Sequence, residues 1–196
     1  MPNVRGGEMP SSEPGNLELI LQIVRGFRPT SVLDVGCGGA KYGVLFRDYL
    51  DSHWVGNAFH DPSTWKMRMV GMDIWKEYIT PVHEYVYDAI IIDDMVLYFA
   101  GTPKEKFDLI FMGDVIEHVE KHVGIKVLQN CKKHLTPNGM ILLSTPNFAT
   151  RMNDESLACF GNKHEVHRCR WEAKEFHSLG FKCSVVEDHL LTVSLQ

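Results

Sequence analysis

No run of about 18 apolar residues occurs in this 196-residue chain, so no membrane-spanning helix is expected. No CxxC pair occurs among its five cysteines, an odd number, and a disulfide framework is therefore not expected. Positive charge is not in excess. Twenty Lys and Arg face 25 Asp and Glu, for a net charge of -5. That balance argues against a dedicated nucleic-acid binder, whose footprint is a basic patch. The opening stretch MPNVRGGEMPSSEPGN lacks the apolar core of a signal peptide. Repeats and low-complexity tracts are missing too. These absences point to a reduced, cytoplasmic protein with no membrane partner.

What is present is the composition of one globular domain, with 44% hydrophobic and 23% charged residues. Residues 1–15, rich in Gly, Pro, Ser and charge, read as a flexible N-terminal segment. Residues 16–196 read as a single domain.

A helix is expected after Asn16 as N-cap, with Leu17, Ile20, Leu21 and Val24 on one face and Pro29 as its stop. Strands follow at Ser31–Val35, Met69–Asp73, Ala89–Asp93, Phe107–Met112 and Met140–Ser144. Helices are expected at Lys41–Leu50, with Val44, Leu45 and Tyr49 inward, at Glu120–Leu135 and at Glu172–Leu179. A strand pair, Lys182–Glu187 and Leu190–Leu195, closes the chain. Nearly continuous apolar strands alternating with helices mean a parallel sheet covered on both faces, a three-layer αβα sandwich. Ligands of such sheets bind beyond the carboxyl ends of the strands.

Those ends carry a pattern. The first strand runs into VLDVGCGGAKYG, a glycine turn that lets backbone N–H groups approach a ligand. Lys41 stands where the dinucleotide fingerprint GxGxxG needs its third glycine. Asp34, just before the turn, would repel a pyrophosphate and suits a cationic ligand. S-adenosylmethionine, with its ammonium and sulfonium groups, fits. Asp73 ends the second strand, where a carboxylate can accept from ribose hydroxyls. Asp93 and Asp94 end the third, with Met95 following.

With VLDVGCGGAKYG, GMDIW, IIIDDM, FDLIFMGDVIEHV and HLTPNGMILLSTPN in that order, residues 17–195 resemble the class I S-adenosylmethionine-dependent methyltransferases. The resemblance implies a mostly parallel seven-stranded sheet with an antiparallel last strand. By it, Asp34, Gly36 and Gly38 would hold the methionine part of S-adenosylmethionine. Asp73, with Ile74, would hold the ribose, Asp94 and Met95 the adenine, and Asp114 would close the site. The family's third motif glycine is Ala40 here.

Methyl transfer is an in-line displacement that needs positioning and often a base. Candidates are Glu117 and His118 in DVIEHV, and His164, Glu165 and His167 in NKHEVHRCRW. Glu117, His118 and His167 are taken as the catalytic set with no metal, acting on an oxygen or nitrogen of a small-molecule acceptor. Two alternatives stay open. Asp114, Glu117, His118 and His167 could bind a divalent metal, a pattern similar to that of metal-dependent O-methyltransferases acting on RNA 3′ ends or catechol-like compounds. A catalytically silent binding module of the same fold is the other. Cys159, His164, His167 and Cys169 do not have the spacing of a zinc finger. Trp54, Phe59, Trp65, Trp75 and Trp171 either wall an acceptor pocket or pack the loops.

Overall fold

The computed structural model describes residues 14–51, 61–147, 161–186 and 189–195. Residues 1–13 of the expected flexible segment lie outside them, and Pro14–Asn16 forms a short 3-10 turn. Seven strands form one sheet: β1 Ser31–Val35, β2 Arg68–Asp73, β3 Ala89–Ile92, β4 Phe107–Gly113, β5 Leu135–Pro146, β6 Lys182–Val186 and β7 His189–Leu195. Their order is β3-β2-β1-β4-β5-β7-β6. β1 to β5 pair in parallel, and β7 runs antiparallel to both β5 and β6. Strand order reverses between β1 and β4, so their carboxyl ends border the crevice where such sheets take ligands.

Among the described residues six α-helices cover the sheet: α1 Leu17–Phe27, α2 Lys41–Phe46, α3 Pro81–Val86, α4 Met95–Ala100, α5 Lys121–Cys131 and α6 Ala173–Ser178. The two-residue period of the strands divides the core. Val32, Met69, Leu109, Phe111, Met140 and Leu142 pack with α1, α2 and the end of α3. Leu33, Val70, Met72, Ile110, Met112, Ile141 and Leu143 pack with α4, α5 and α6. Among the described residues no helix is long and apolar enough to cross a membrane.

Several expectations need correction. Asn16 makes no capping hydrogen bond; it is fully buried instead. Helices α3 and α4 went unread, although Thr80 before Pro81 and Asp94 before Met95 are both helix-start pairs. The inward face of α2 is also different. Val44 and Tyr49 are 43% and 50% exposed, whereas Tyr42, Phe46 and Arg47 are buried. Phe111 decides this, because the rings of Tyr42 and Phe46 lie 4.4 Å and 5.4 Å from it and bury more area than Val44 could. A π-helical turn over Arg47–Asp51 then rotates Tyr49 outward.

Arg47 makes that turn a fastening point. Its guanidinium donates to Asp51 at 2.6 Å, Asp88 at 3.0 Å, and the carbonyls of Met67 and Val86 at 2.7 Å and 2.9 Å. It also lies 4.4 Å from the Trp65 ring centre. Asp51 is as buried as Arg47, so removing the cation strands a carboxylate. Arg47→Leu is expected to lower the unfolding free energy by about 3–5 kcal/mol, measured as a shift in urea midpoint.

Candidate active site

The turn after β1 is shaped for close approach. Gly36 has φ +68°, and a Cβ there would lie 2.4 Å from Val115 Cγ2. No side chain fits, and the loop after β4 rests directly against the turn. Gly36 N and Cys37 N donate to the Met72 carbonyl at 2.7 Å and 3.0 Å. Gly38, with φ +49°, donates its N–H to Asp73 Oδ2 at 2.9 Å. Asp73 Oδ1 accepts from Trp75 N at 2.8 Å. Each oxygen of Asp73 is thus aimed by a backbone N–H. Burial raises its pKa, and these two N–H groups work against that rise. Ala40, where the family has glycine, adopts the same left-handed region at φ +64°. It carries a strain of roughly 1–2 kcal/mol that glycine would not.

Asp34 is 2% exposed and accepts the Tyr87 hydroxyl at 2.6 Å. Burial lifts its pKa to about 7; the Tyr87 hydrogen bond opposes the shift and the charge of Asp73 adds to it. A cation placed beside Asp34 would draw off its proton. Ile74 is half-buried next to Asp73. Asp94 is committed through Oδ1 to Val96 N at 2.8 Å, capping α4. Met95 belongs to the core and is 8% exposed, so it offers an adenine ring only an edge.

The second group stands at the end of β4. Asp114, at φ +55°, donates its N–H to the Ser144 carbonyl and accepts the Ser144 hydroxyl on Oδ1, both at 3.0 Å. The chain then turns through Ile116–His118. Glu117 is 2% exposed; Oε2 accepts Thr145 Oγ1 at 3.0 Å, and Oε1 is buried with no partner. Burial first, and the Asp114 charge second, hold its carboxyl well above the usual range. The His118 Nδ1 is also buried without a hydrogen bond. Burial and the neighbouring His167 press the His118 pKa down to about 4, although the carbonyls of Val166 and Asp114 pull the other way. Burial lowers His167 as well. Both imidazoles are therefore neutral near pH 7.

His167 comes from a distant segment. It arrives because the Glu117 carbonyl accepts Arg168 N at 2.8 Å and Cys169 N at 3.1 Å. The rings of His118 and His167 meet edge-on at 4.9 Å. Glu117, His118 and His167 each offer a ligand atom, all within 4.8 Å of one another. The expected catalytic trio is thus brought together, while Asp114 is engaged with Ser144 and stands outside that group.

The same segment ties the crevice across. Tyr78 donates its hydroxyl to Glu165 Oε1, and Asn162 Nδ2 donates to the Tyr78 oxygen, both at 3.1 Å. The Trp75 and His164 rings are 6.4 Å apart. Burial raises the Glu165 pKa, Tyr78 opposing and Asp73 adding. Of the tryptophans, Trp171 is fully buried and stacked on Phe176 at 4.7 Å, so it is core. Trp54, Phe59 and Cys159 lie outside the described residues. Tyr78, His83, Tyr87, Thr145 and Asn162 escaped the sequence reading. The four-residue spacing of His83 and Tyr87 on α3 was the one signal available for any of them.

Comparison with known proteins adds a family. A family model described as a methyltransferase domain matches residues 14–181. A ubiquinone biosynthesis O-methyltransferase of Actinobacillus pleuropneumoniae is 30% identical over 135 residues, which is 68% of this chain and 53% of that protein. The chain spans about half the length of the curated relatives it matches. A SAM dependent methyltransferase from Archaeoglobus fulgidus superposes with TM-score 0.59 at 15% identity, covering 91% of this chain and 94% of the other. An N-methyltransferase from Bradyrhizobium japonicum in complex with S-adenosyl-l-homocysteine gives TM-score 0.57 at 17% identity, over 94% of this chain and 88% of that one. These likenesses carry the fold.

Asp34 sets a pH dependence of stability. Its folded pKa of about 7 lies above the ordinary aspartate value of 3.8, so between these limits the native state binds the proton more tightly than the unfolded chain. Stability therefore falls as pH rises through that window. Asp34→Asn keeps the shape and an acceptor for Tyr87. Thermal melts of the ligand-free protein at pH 8 should show this variant at least about 3 °C above wild type. At pH 5 the gap should shrink.

Proposed function

The chain belongs to the methyltransferase domain family, whose members use S-adenosylmethionine, and from there we propose that it transfers the methyl group to a hydroxyl oxygen of a small phenol- or catechol-like acceptor in the cytoplasm. One observation carries the acceptor side: Glu117, His118 and His167 converge at the end of β4, and that loop rests on the glycine turn through Val115. The names of the curated relatives, O-methyltransferases of ubiquinone biosynthesis, favour oxygen over nitrogen.

The cofactor lies along the carboxyl ends of β2, β1 and β4 in this reading. Asp73 takes the ribose hydroxyls on oxygens already oriented by Gly38 and Trp75. Asp34 faces the ammonium. S-adenosylmethionine, when bound, would supply an activated methyl group that passes to the acceptor oxygen as its carbon–sulfur bond breaks, the electron pair remaining on sulfur. The acceptor proton must leave. Burial keeps the His118 and His167 rings neutral; the His118 ring, with its pKa pressed down to about 4, is a weak base, which leaves His167 to take the proton.

A second reading, assistance by a divalent cation, rests on a separate observation. Glu117 Oε1 and His118 Nδ1 are buried polar atoms with no partner, and such atoms are costly unless something fills the gap. A carboxylate and two imidazoles suit a divalent ion of the zinc or manganese kind. With an ion there, Glu117, His118 and His167 would be its holders and Thr145 would orient Glu117. The chemistry supplied would be a lowered pKa of the acceptor hydroxyl.

Release of S-adenosylhomocysteine from S-adenosylmethionine, followed over matched phenols, catechols and amines, tests the proposal. Hydroxylated compounds should turn over and amines should not; the reverse preference sinks it. Glu117→Gln should cut kcat/KM by about a hundredfold. Chelation separates the two readings: activity lost to a chelator and restored by added metal selects the ion, whereas unchanged activity selects the imidazole base.

A further inference from the structure

Helix α3 does not border the crevice, yet it sends two polar groups to it. His83 is fully buried among the described residues, so it has no surface with which to touch a ligand. Its Nδ1 accepts the Thr80 backbone N–H at 3.2 Å. That leaves the ring proton on Nε2, which lies 2.8 Å from the Gly38 carbonyl oxygen and donates to it. Gly38 is consequently held on both sides, the peptide before it through its N–H by Asp73 and the peptide after it through its carbonyl by His83. Four residues on, one turn along the same face, Tyr87 donates to Asp34 at 2.6 Å. The two rings are 5.9 Å apart. Tyr87 has no freedom to move, since its ring packs where Gly43 and Gly71 leave room for it.

We infer that His83 and Tyr87 are positioning residues for the cofactor: α3 braces the glycine turn and its preceding acid from behind, so that the site is already in its binding conformation before the ligand arrives. The physical gain is preorganisation. Gly38 sits in the left-handed region, which glycine enters and leaves freely. Without a fixed carbonyl, the Gly38–Gly39 peptide plane can rotate and carry the Gly39 N–H with it, changing the shape of the turn on which the ligand would rest. His83 removes that freedom at the cost of folding rather than of binding. The inference rests on the cofactor lying at this turn, as proposed above.

Substitutions that split the two bonds of His83 test it. His83→Asn keeps an acceptor where Nδ1 receives Thr80 N–H but no longer reaches Gly38. His83→Gln restores a donor at the reach of Nε2. Calorimetric titration with S-adenosylhomocysteine should show His83→Asn binding about fivefold or more weaker, with His83→Gln recovering most of the loss. In turnover, His83→Asn should raise the KM for S-adenosylmethionine and leave kcat at saturating cofactor near wild type. A merely structural role would instead lower the active fraction and hence kcat. Tyr87→Phe deletes one hydroxyl while keeping the packed ring, and should weaken binding independently of how the His83 variants fold. Wild-type affinity in both His83→Asn and Tyr87→Phe overturns the inference, as does a loss in His83→Asn that His83→Gln fails to recover. Asp73→Asn separates the premise: if it leaves S-adenosylhomocysteine binding untouched, the placement of the cofactor is wrong. If it weakens binding while the α3 variants do not, the brace alone is wrong.

Discussion

Carboxyl groups taken out of water with no Arg or Lys paired to them among the described residues are the constraint from which the rest of this crevice follows. Asp34, Asp73, Glu117 and Glu165 all have raised pKa values, and burial is the leading cause for each. None of the four is ion-paired to Lys or Arg among the described residues. A buried anion without a partner is expensive, and the usual remedy is a proton. The contrast with Arg47 is instructive. There the buried carboxylate of Asp51 meets a permanent cation, and the arrangement is closed. At the strand ends the carboxyls have only neutral donors among the described residues, which suits the positively charged ligand proposed there.

That openness explains why backbone N–H groups and hydroxyls, rather than cations, orient these acids. Gly38 and Trp75 hold Asp73, Tyr87 holds Asp34, Thr145 holds Glu117, and Tyr78 holds Glu165. A neutral donor fixes the direction of a carboxylate without satisfying its charge. The carboxyls are thereby fixed in direction by neutral donors alone among the described residues, which suits the cationic cofactor proposed for this crevice.

The parts of this structure that were legible in the sequence are those where one residue type has one job. The apolar strands β1 to β5 and the acids at their ends could be read directly, because a two-faced parallel strand leaves little room for anything but aliphatic side chains. Helix α2 could not be oriented, since which face wins depended on Phe111, far along the chain. Short helices α3 and α4 carry too few residues for a period to show, though each announces itself by a cap. In the site, Glu117 and His118 were readable because they follow a strand. Their companionship with His167 was only a conjecture, since the backbone tie from Arg168 and Cys169 to Glu117 leaves no trace in spacing. Tyr87 and His83 offered only their four-residue spacing, and nothing in it points to partners that lie 53 and 45 residues away.

Strand β5 has a double allegiance. On one side Ser144 pairs with Gly113 of β4; on the other, Ser144 and Thr145 pair with Leu191 and Leu190 of β7. The same two hydroxyl residues steady Asp114 and Glu117. The β6–β7 hairpin is therefore wired mechanically into the proposed reaction centre. Damage to that hairpin would be felt first at Asp114 and Glu117, in the part of the crevice proposed to handle the acceptor, while Asp34 and Asp73 on β1 and β2 keep their own supports.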